Sequence, residues 1–238
     1  MSPGHTVIVT DSTATLPAEV AAERGIVVVP LQVVIGATVL EEGTTDGATP
    51  ELVAAALKEW TPVSTSRPTP SAFLEVYEQA ARDGATAVIS IHLSGDISGT
   101  VESAQLAARD ASIRVITIDS RQVGVATGFA ALSAADVLDA GGTADEAADA
   151  ARARAAASSS LFYVDTLEYL RRGGRIGAAA ALFGGALAVK PLLQIDDGRV
   201  ATLEKVRTAA RALGASNRRI IARHILPAAL APVVLAVT

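Results

Sequence analysis

The residues of this chain best suited to binding chemistry are three arginines beside a long apolar run. Arg171, Arg172 and Arg175 lie in the segment Leu167–Gly177, which reads L-E-Y-L-R-R-G-G-R-I-G, and Ala178–Val189 follows directly. Positive charge next to small apolar side chains predicts a site for a ligand with an anionic head and an apolar body. Arg171 and Arg172 also fit the basic last turn of an ordinary helix that ends at the Gly-Gly pair. Arg175 lies beyond that end, so it must find an anion or a carbonyl group.

Two hydroxyl-rich segments are the other candidates for ligand binding. Ser64–Pro70 reads S-T-S-R-P-T-P, and Ser94–Thr100 reads S-G-D-I-S-G-T. Each precedes a predicted helix, where free backbone N–H groups and the helix dipole attract anions. Simpler explanations stay open, because Thr69 alone would cap its helix and the second segment would serve as a flexible turn. Neither segment contains the G-K-[ST] of a nucleotide-binding loop or the G-x-S-x-G of a hydrolase elbow.

A serine hydrolase is an alternative that these hydroxyls raise. Ser94 or Ser98 would need a histidine within hydrogen-bond reach as general base. His92 is close in sequence, but strand alternation puts it on the face of Ser90 and Ser94 without aiming it at a hydroxyl. We therefore expect an edge or core histidine at this position.

Short β-branched runs alternate with helical segments through the first two-thirds of the chain. The predicted strands are Thr6–Thr10, Ile26–Val29, Ala87–Ile91 and Arg114–Ile118. The predicted helices begin after threonine N-caps at Thr49, Thr69 and Thr143, and end near Trp60, Arg82 and Ala157. This alternation predicts an α/β lobe with a parallel sheet covered on both faces. Ligands bind at the carboxyl ends of such strands, so the hydroxyls that follow them should cluster at one edge.

The pattern changes after Ser158, which predicts a boundary between two lobes. Residues 1–158 form the N-terminal parallel α/β lobe, and residues 159–238 form a smaller C-terminal α+β lobe with antiparallel pairing. Its predicted elements are a strand at Leu161–Val164, a hairpin turning at Asp196-Asp197-Gly198, a helix at Thr208–Ile225 and a strand at Val233–Val237.

Composition excludes several functional classes. The net charge of −5 and an aromatic content of 3% argue against nucleic-acid binding, which favours basic surfaces and stacking side chains. With no cysteine and three histidines lacking ligand spacing, we expect no disulfide and no metal site. No signal peptide and no run long enough to span a bilayer is apparent, so a cytoplasmic location is expected.

Taken in order, eight short segments resemble the DegV family of bacterial fatty-acid-binding proteins, the lipid-presenting subunits of fatty acid kinase. The matching segments are Val9–Thr13, Thr65–Pro70, Ser94–Thr100, Ile118–Ser120, Leu167–Ile176, Lys190–Leu193, Asp197–Arg199 and Lys205–Arg207.

The resemblance implies two α/β lobes with a fatty acid buried between them. The carboxylate-binding residues would be Thr65, Ser66, Ser94, Ser98 and Arg175, and the acyl-chain tunnel would be lined by Ala178, Ala181, Leu182 and Ala186. The bound fatty acid would be the ligand, with no cofactor. A partner kinase would phosphorylate its carboxylate using ATP, so the chain itself would not be an enzyme. Transient membrane contact would serve lipid exchange.

Two departures from the family pattern matter. Ser94-Gly95 stands where the family has a double serine, so one hydroxyl is missing. Family members also run longer and end in a glycine-rich segment with a histidine near the carboxylate, so we expect this chain to be incomplete relative to them. His224 is not assumed to replace that histidine. A small polar ligand such as a phosphosugar is a further alternative for the parallel-sheet lobe.

Overall fold

The chain divides into two compact units, Met1–Ser158 and Ser159–Thr238. A computed structural model describes residues 5–44, 46–164, 167–182 and 192–203. The predicted helix at Thr208–Ile225 and the predicted strand at Val233–Val237 lie outside these residues. In the described part of the chain, no helix is long and apolar enough to cross a lipid bilayer.

The strands and helices of the described residues are named in chain order. The strands are β1 (Thr6–Asp11), β2 (Ile26–Val29), β3 (Gln32–Ile35), β4 (Thr38–Glu41), β5 (Val63–Ser66), β6 (Ala87–His92), β7 (Arg114–Asp119), β8 (Leu161–Tyr163), β9 (Leu192–Asp196) and β10 (Arg199–Thr202). The α-helices are α1 (Ala18–Glu23), α2 (Pro50–Lys58), α3 (Pro70–Arg82), α4 (Thr100–Asp110), α5 (Val125–Asp139), α6 (Ala144–Ala157) and α7 (Glu168–Arg172).

A parallel sheet of four strands, in the order β2-β1-β6-β7, forms the centre of the first unit. Ile8 pairs with Ile26 on one side and with Ile89 on the other, and Ile91 pairs with Ile118. Every residue of β6 is buried, as expected of a central strand covered on both faces. The predicted α/β fold with a parallel sheet is therefore confirmed.

The two faces of this sheet carry different side chains. On one face, Ile8, Ile89 and Ile91 pack in a cluster with buried alanines of α5 and α6. On the other face, Val9 and Val88 pack with larger side chains of α3, Phe73 and Tyr77, and with alanines of α4. Small alanines let the helices approach the sheet and each other closely, which suits a core with few aromatic residues.

A second sheet in the first unit is antiparallel and was not predicted. Its order is β4-β3-β5, with Val33 opposite Leu40 on one side and Thr65 on the other. The strands are four residues each, too short to show a convincing alternation of polar and apolar side chains. This sheet matters for function because β5 carries Thr65 and Ser66.

The helix N-caps follow the predicted chemistry. Thr49 accepts a hydrogen bond from the Leu52 N–H, and Thr69 accepts one from the Ala72 N–H. Thr143 forms the complete capping box, in which both it and Glu146 accept a hydrogen bond from the other's backbone N–H. The helix predicted to reach Trp60 ends at Lys58 instead.

The described part of the second unit contains a three-stranded antiparallel sheet in the order β10-β9-β8. Asp197 and Gly198 connect β9 to β10 with φ values of 47° and 81°, as a tight primed turn requires. The predicted hairpin is thus confirmed. A 3-10 helix at Gly177–Leu182 packs against β10, where Gly177 adopts a φ of 52°.

Candidate functional site

The carboxyl ends of β1, β6 and β7 are joined by hydrogen bonds between side chains and backbone. Asp11 ends β1 and accepts a hydrogen bond of 3.2 Å from the Leu93 N–H, just after β6. The carboxylate of Asp119, the last residue of β7, accepts one of 3.2 Å from the Gly95 N–H. The loops that follow these strands are therefore held together at one edge of the sheet, as the topology predicts.

The loop Ser94–Thr100 is a hydrogen-bonded turn leading into α4. The Ser94 N–H donates to the Gln122 carbonyl at 2.8 Å, and the Ser94 carbonyl accepts from the N–H groups of Ile97 and Ser98, each at 3.0 Å. Ser94 is fully buried, and its Oγ accepts a hydrogen bond of 3.3 Å from the Asp96 N–H. Ser98 is only half-buried, with its Oγ 2.9 Å from Oγ1 of Thr100. Of the two serines, Ser98 is therefore the one that a ligand reaches more easily.

The neighbours of Gly95 leave little room for a side chain in place of the glycine. A β-carbon at this position would lie 3.0 Å from Oδ2 of Asp119 and 3.1 Å from Cγ1 of Val101. Both distances are tighter than ordinary van der Waals contact, so a side chain here requires its neighbours to move.

The second hydroxyl segment lies on β5 and the turn after it. Thr65 and Ser66 are exposed, and their strand pairs with β3. Thr69 serves as the N-cap of α3, and its hydroxyl lies 2.8 Å from that of Ser71. The capping explanation therefore holds for Thr69, whereas Thr65 and Ser66 stay exposed.

Arg67 connects the two hydroxyl segments. Its Nη1 donates to the Gly99 carbonyl at 3.1 Å and to the Glu102 carboxylate at 2.5 Å. Arg67 directly follows Ser66, and Gly99 directly follows Ser98. The structure thus brings the predicted residues Thr65, Ser66 and Ser98 into neighbouring segments through a residue that the sequence analysis did not single out.

A chain of buried polar side chains runs through the sheet beneath this edge. Nδ1 of His92 lies 2.8 Å from Oδ2 of Asp11, Nε2 of His92 lies 2.7 Å from Oγ of Ser90, and that Oγ lies 2.7 Å from the Tyr77 hydroxyl. All four side chains are fully buried. Burial raises the pKa of Tyr77 to about 12, against the opposing effect of its hydrogen bond with Ser90. Phe73 packs its ring against His92 at a centroid distance of 4.9 Å.

The prediction that His92 is an edge or core histidine is met by a fully buried core position. The serine in contact with its ring is Ser90, not Ser94 or Ser98. Strand alternation predicted that His92 shares a face with Ser90 but not that its ring contacts the hydroxyl. The contact with Asp11, 81 residues away in sequence, has no local signal.

In the second unit, the arginines of the opening motif find partners within their own segment. Arg171 and Arg172 both form ion pairs with Glu168, at 2.8 and 2.7 Å. Hydrogen bonds from Arg171, then from Arg172, lower the pKa of Glu168 to about 2. Nη1 of Arg175 donates to the Gly173 carbonyl at 2.9 Å. Of the two partners expected for Arg175, an anion or a carbonyl group, the structure shows a carbonyl group.

The predicted tunnel residues are only partly described. Ala178, Ala181 and Leu182 belong to the 3-10 helix, and Ala178 is exposed there. The side chains of Ala181 and Leu182 are outside the described set, and Ala186 and His224 lie outside the described residues altogether. The tunnel therefore stays a prediction. Among the described residues, no group of three or more acidic, histidine or cysteine side chains is arranged to hold a metal ion.

Comparison with known proteins finds one family consistently. A family model described as an uncharacterised protein of the DegV family matches residues 5–224. A DegV domain-containing protein of Streptomyces coelicolor is 54% identical over 209 residues, which cover 88% of this chain and 74% of the relative. One of Deinococcus radiodurans is 38% identical over 220 residues, covering 91% of this chain and 78% of the relative.

Solved structures give the same similarity. A DegV family protein from Thermus thermophilus, described by its fatty acid binding, aligns with a TM-score of 0.78 and 33% identity, covering 87% of this chain and 77% of that one. DegV from Bacillus subtilis, described as a fatty acid binding protein, aligns with a TM-score of 0.74 and 31% identity, covering 88% and 77%.

Proposed function

This chain belongs to the DegV family, and from that premise we propose that it binds a long-chain fatty acid and presents the carboxylate to a partner kinase. The relatives described as fatty acid binding share its fold at 31% and 33% identity. The carboxylate would be held by Ser98, by Thr65 or Ser66, and by Ser94 from within the loop.

The observation that carries this proposal is the meeting of the two hydroxyl segments at the start of α4. Helix α4 spans 11 residues, and Gly99 at its N-cap has no side chain to accept from the first N–H groups. An anion placed there would receive backbone and hydroxyl hydrogen bonds together. Adjacent residues of a strand point to opposite faces, so one of Thr65 and Ser66 would face the ligand.

Neutral hydroxyls suit a carboxylate that must later react. They hold the charge without forming a buried ion pair, whose desolvation is costly. The acyl chain would supply most of the affinity, because each buried CH₂ contributes about 0.8 kcal/mol. We propose that Ala178, Ala181, Leu182 and Ala186 contribute to the wall around it.

The chain itself would act as a carrier. A partner kinase would bind ATP and transfer its γ-phosphoryl group to the carboxylate, forming an acyl phosphate and releasing ADP. We therefore expect the pair to act in the cytoplasm, with transient membrane contact during lipid exchange.

A serine hydrolase is the second candidate, because Asp11, His92 and Ser90 lie in the hydrogen-bonded order of a catalytic triad. All three side chains are fully buried, and the Tyr77 hydroxyl occupies the other side of the Ser90 oxygen. A substrate carbonyl would have to approach the Ser90 oxygen where the Tyr77 hydroxyl lies. We therefore expect no labelling of Ser90 by a fluorophosphonate probe.

The proposal is tested by mass spectrometry of the protein purified from a bacterial host. Denaturing extraction should release near-stoichiometric long-chain fatty acid, and delipidated protein should take palmitate up again. Absence of lipid both before and after addition of palmitate would refute the proposal, and labelling of Ser90 would favour the hydrolase.

The double variant Thr65→Ala/Ser98→Ala should weaken carboxylate anchoring, or acyl-phosphate formation with the kinase, more than it lowers the free energy of unfolding. Its control is Thr38→Ala/Ser133→Ala, which removes the same two kinds of hydroxyl outside both segments. Unchanged acyl-phosphate formation in the Thr65/Ser98 variant would remove these hydroxyls from the site.

A further inference from the structure

Arg67 makes contacts that the proposed carboxylate site does not account for. Its side chain is 46% exposed, yet one nitrogen reaches both the Gly99 carbonyl and the Glu102 carboxylate. The Gly99 carbonyl also accepts a hydrogen bond of 3.0 Å from the Ser103 N–H in the first turn of α4. Arg67 is therefore bound to the start of the helix rather than directed into solvent.

Gly99 provides the space for this contact. A β-carbon at position 99 would overlap Nη1 of Arg67 and lie 2.9 Å from its Cζ. The backbone of Gly99 has φ −72° and ψ 14°, a conformation that any residue adopts. A side chain at position 99 would therefore have to displace the guanidinium of Arg67 from its contact with the Gly99 carbonyl.

The partners of Arg67 decide what it does. Both contacts use the same nitrogen, Nη1, and Glu102 offsets the positive charge of the guanidinium. A ligand carboxylate that paired with Arg67 would therefore share the guanidinium with Glu102 and gain less from its charge. The contact from Arg67 to Gly99 already links the two hydroxyl segments without any change in the structure. Ser66 directly precedes Arg67, and Ser98 directly precedes Gly99.

We propose that Arg67 is a positioning residue that fixes Thr65 and Ser66 relative to Ser98, and that its contact with Gly99 makes the site selective for a carboxylate over an uncharged head group. This role rests on the proposed fatty-acid binding and extends it to head-group selectivity. The acyl chain contributes equally to a fatty acid and to the fatty alcohol of the same length. Selectivity between the two therefore reports the head-group geometry alone.

The test compares the dissociation constants of palmitate and 1-hexadecanol, by displacement of a fluorescent fatty acid, for wild type, Arg67→Ala and Gly99→Ala. Both variants should lower the preference for palmitate by about two- to tenfold, the worth of roughly one hydrogen bond, while hexadecanol affinity stays unchanged. The matched control is Arg114→Ala, which removes an exposed arginine paired at 2.6 Å with Asp145 elsewhere in the same unit. It should leave the preference unchanged.

The double variant Arg67→Ala/Gly99→Ala isolates the contact between the two residues. Once Arg67 is truncated, the added methyl group at position 99 meets no guanidinium, so the double variant should match Arg67→Ala instead of showing the product of both losses. Fully independent effects would overturn the role proposed for this contact.

Glu102→Ala separates positioning from direct binding by the sign of its effect. If Arg67 positions the segments, loss of Glu102 weakens the preference for palmitate. If Arg67 instead binds the carboxylate directly, loss of Glu102 frees its charge and strengthens that preference, which would overturn the proposal. Wild-type protein that binds no palmitate would overturn the proposed function and this role together. Normal binding with unchanged selectivity in Arg67→Ala would overturn this role alone.

Discussion

The buried chain from Asp11 to Tyr77 makes a quantitative prediction, because the Ser90 hydroxyl lies between two buried polar partners. A carboxylate only accepts, so we assign the hydrogen on Nδ1 of His92 to the contact with Asp11. In that tautomer Nε2 accepts from the Ser90 hydroxyl, and the Tyr77 hydroxyl donates to Ser90. Ser90 is therefore the central member, and its removal leaves two buried polar groups without a partner.

The perturbations are Tyr77→Phe, Ser90→Ala and the two combined. Tyr77→Phe removes one donor while Ser90 still donates to His92, so it should cost about 1 kcal/mol in the free energy of unfolding. Ser90→Ala leaves both the Tyr77 hydroxyl and Nε2 of His92 unpaired, at about 2 kcal/mol each, or about 4 kcal/mol together. The double variant leaves only Nε2 unpaired and should cost about 2–3 kcal/mol, less than Ser90→Ala alone.

The assay is urea unfolding followed by far-UV circular dichroism, since Trp60 is 79% exposed and its fluorescence would report the core poorly. Ser103→Ala is the matched control. That serine is also fully buried, but within the described residues its hydroxyl has no hydrogen-bond partner. Its removal should be neutral or stabilising. Additive losses in the Tyr77 and Ser90 variants, or equal costs for Ser90→Ala and Ser103→Ala, would refute the reasoning.

Two further predictions concern pH and backbone conformation. Because the folded pKa of Tyr77 is raised to about 12, its contribution to stability is complete below the ordinary tyrosine pKa near 10 and is lost as the pH rises from there toward 12. Urea unfolding at several pH values should show the free energy of unfolding falling by up to about 1.4 kcal/mol per pH unit in this range, a fall that Tyr77→Phe lacks. An equal alkaline fall in the variant would contradict this assignment. Gly177→Ala should cost at least about 2 kcal/mol, because it combines a positive φ with overlap of the Val200 carbonyl. Gly174→Ala, at a φ of 71° with open space around it, should cost about 1 kcal/mol, and thermal unfolding that ranks the two in the opposite order would show that the contact with Val200 is dispensable.

The parts of the fold that sequence predicted are those with local signals. Threonine caps, the apolar strands of the parallel sheet and the turn at Asp197-Gly198 each depend on residues within a few positions of one another. The antiparallel sheet of β3, β4 and β5 was missed, because strands of four half-exposed residues show little pattern of their own. Gly36 and Ala37 connect β3 to β4 locally, whereas β5 is about 30 residues away from its partner β3.

The candidate site divides in the same way. Strand topology predicted that the hydroxyls of Ser94 and Ser98 lie at the sheet edge, because carboxyl ends of parallel strands coincide. Neither the contact of Asp11 with His92 nor that of Arg67 with Gly99 was found, since they join residues 81 and 32 positions apart. The arginines Arg171 and Arg172 drew attention by charge, although both pair with Glu168 within about one helical turn.

The contact between Asp11 and His92 also bears on how the strands find their correct alignment. The strands β1 and β6 are both rich in β-branched apolar residues, so apolar burial alone would discriminate weakly between the native pairing and one shifted by a single residue. A shift of one residue in β1 would turn Asp11 toward the alanines and isoleucines of the opposite face, leaving a carboxylate in an apolar core and His92 without its acceptor. The aligned pairing is the one in which both polar groups are satisfied. The buried polar chain thus favours the native register of β1 and β6, because each register shifted by one residue leaves a buried polar group without a partner.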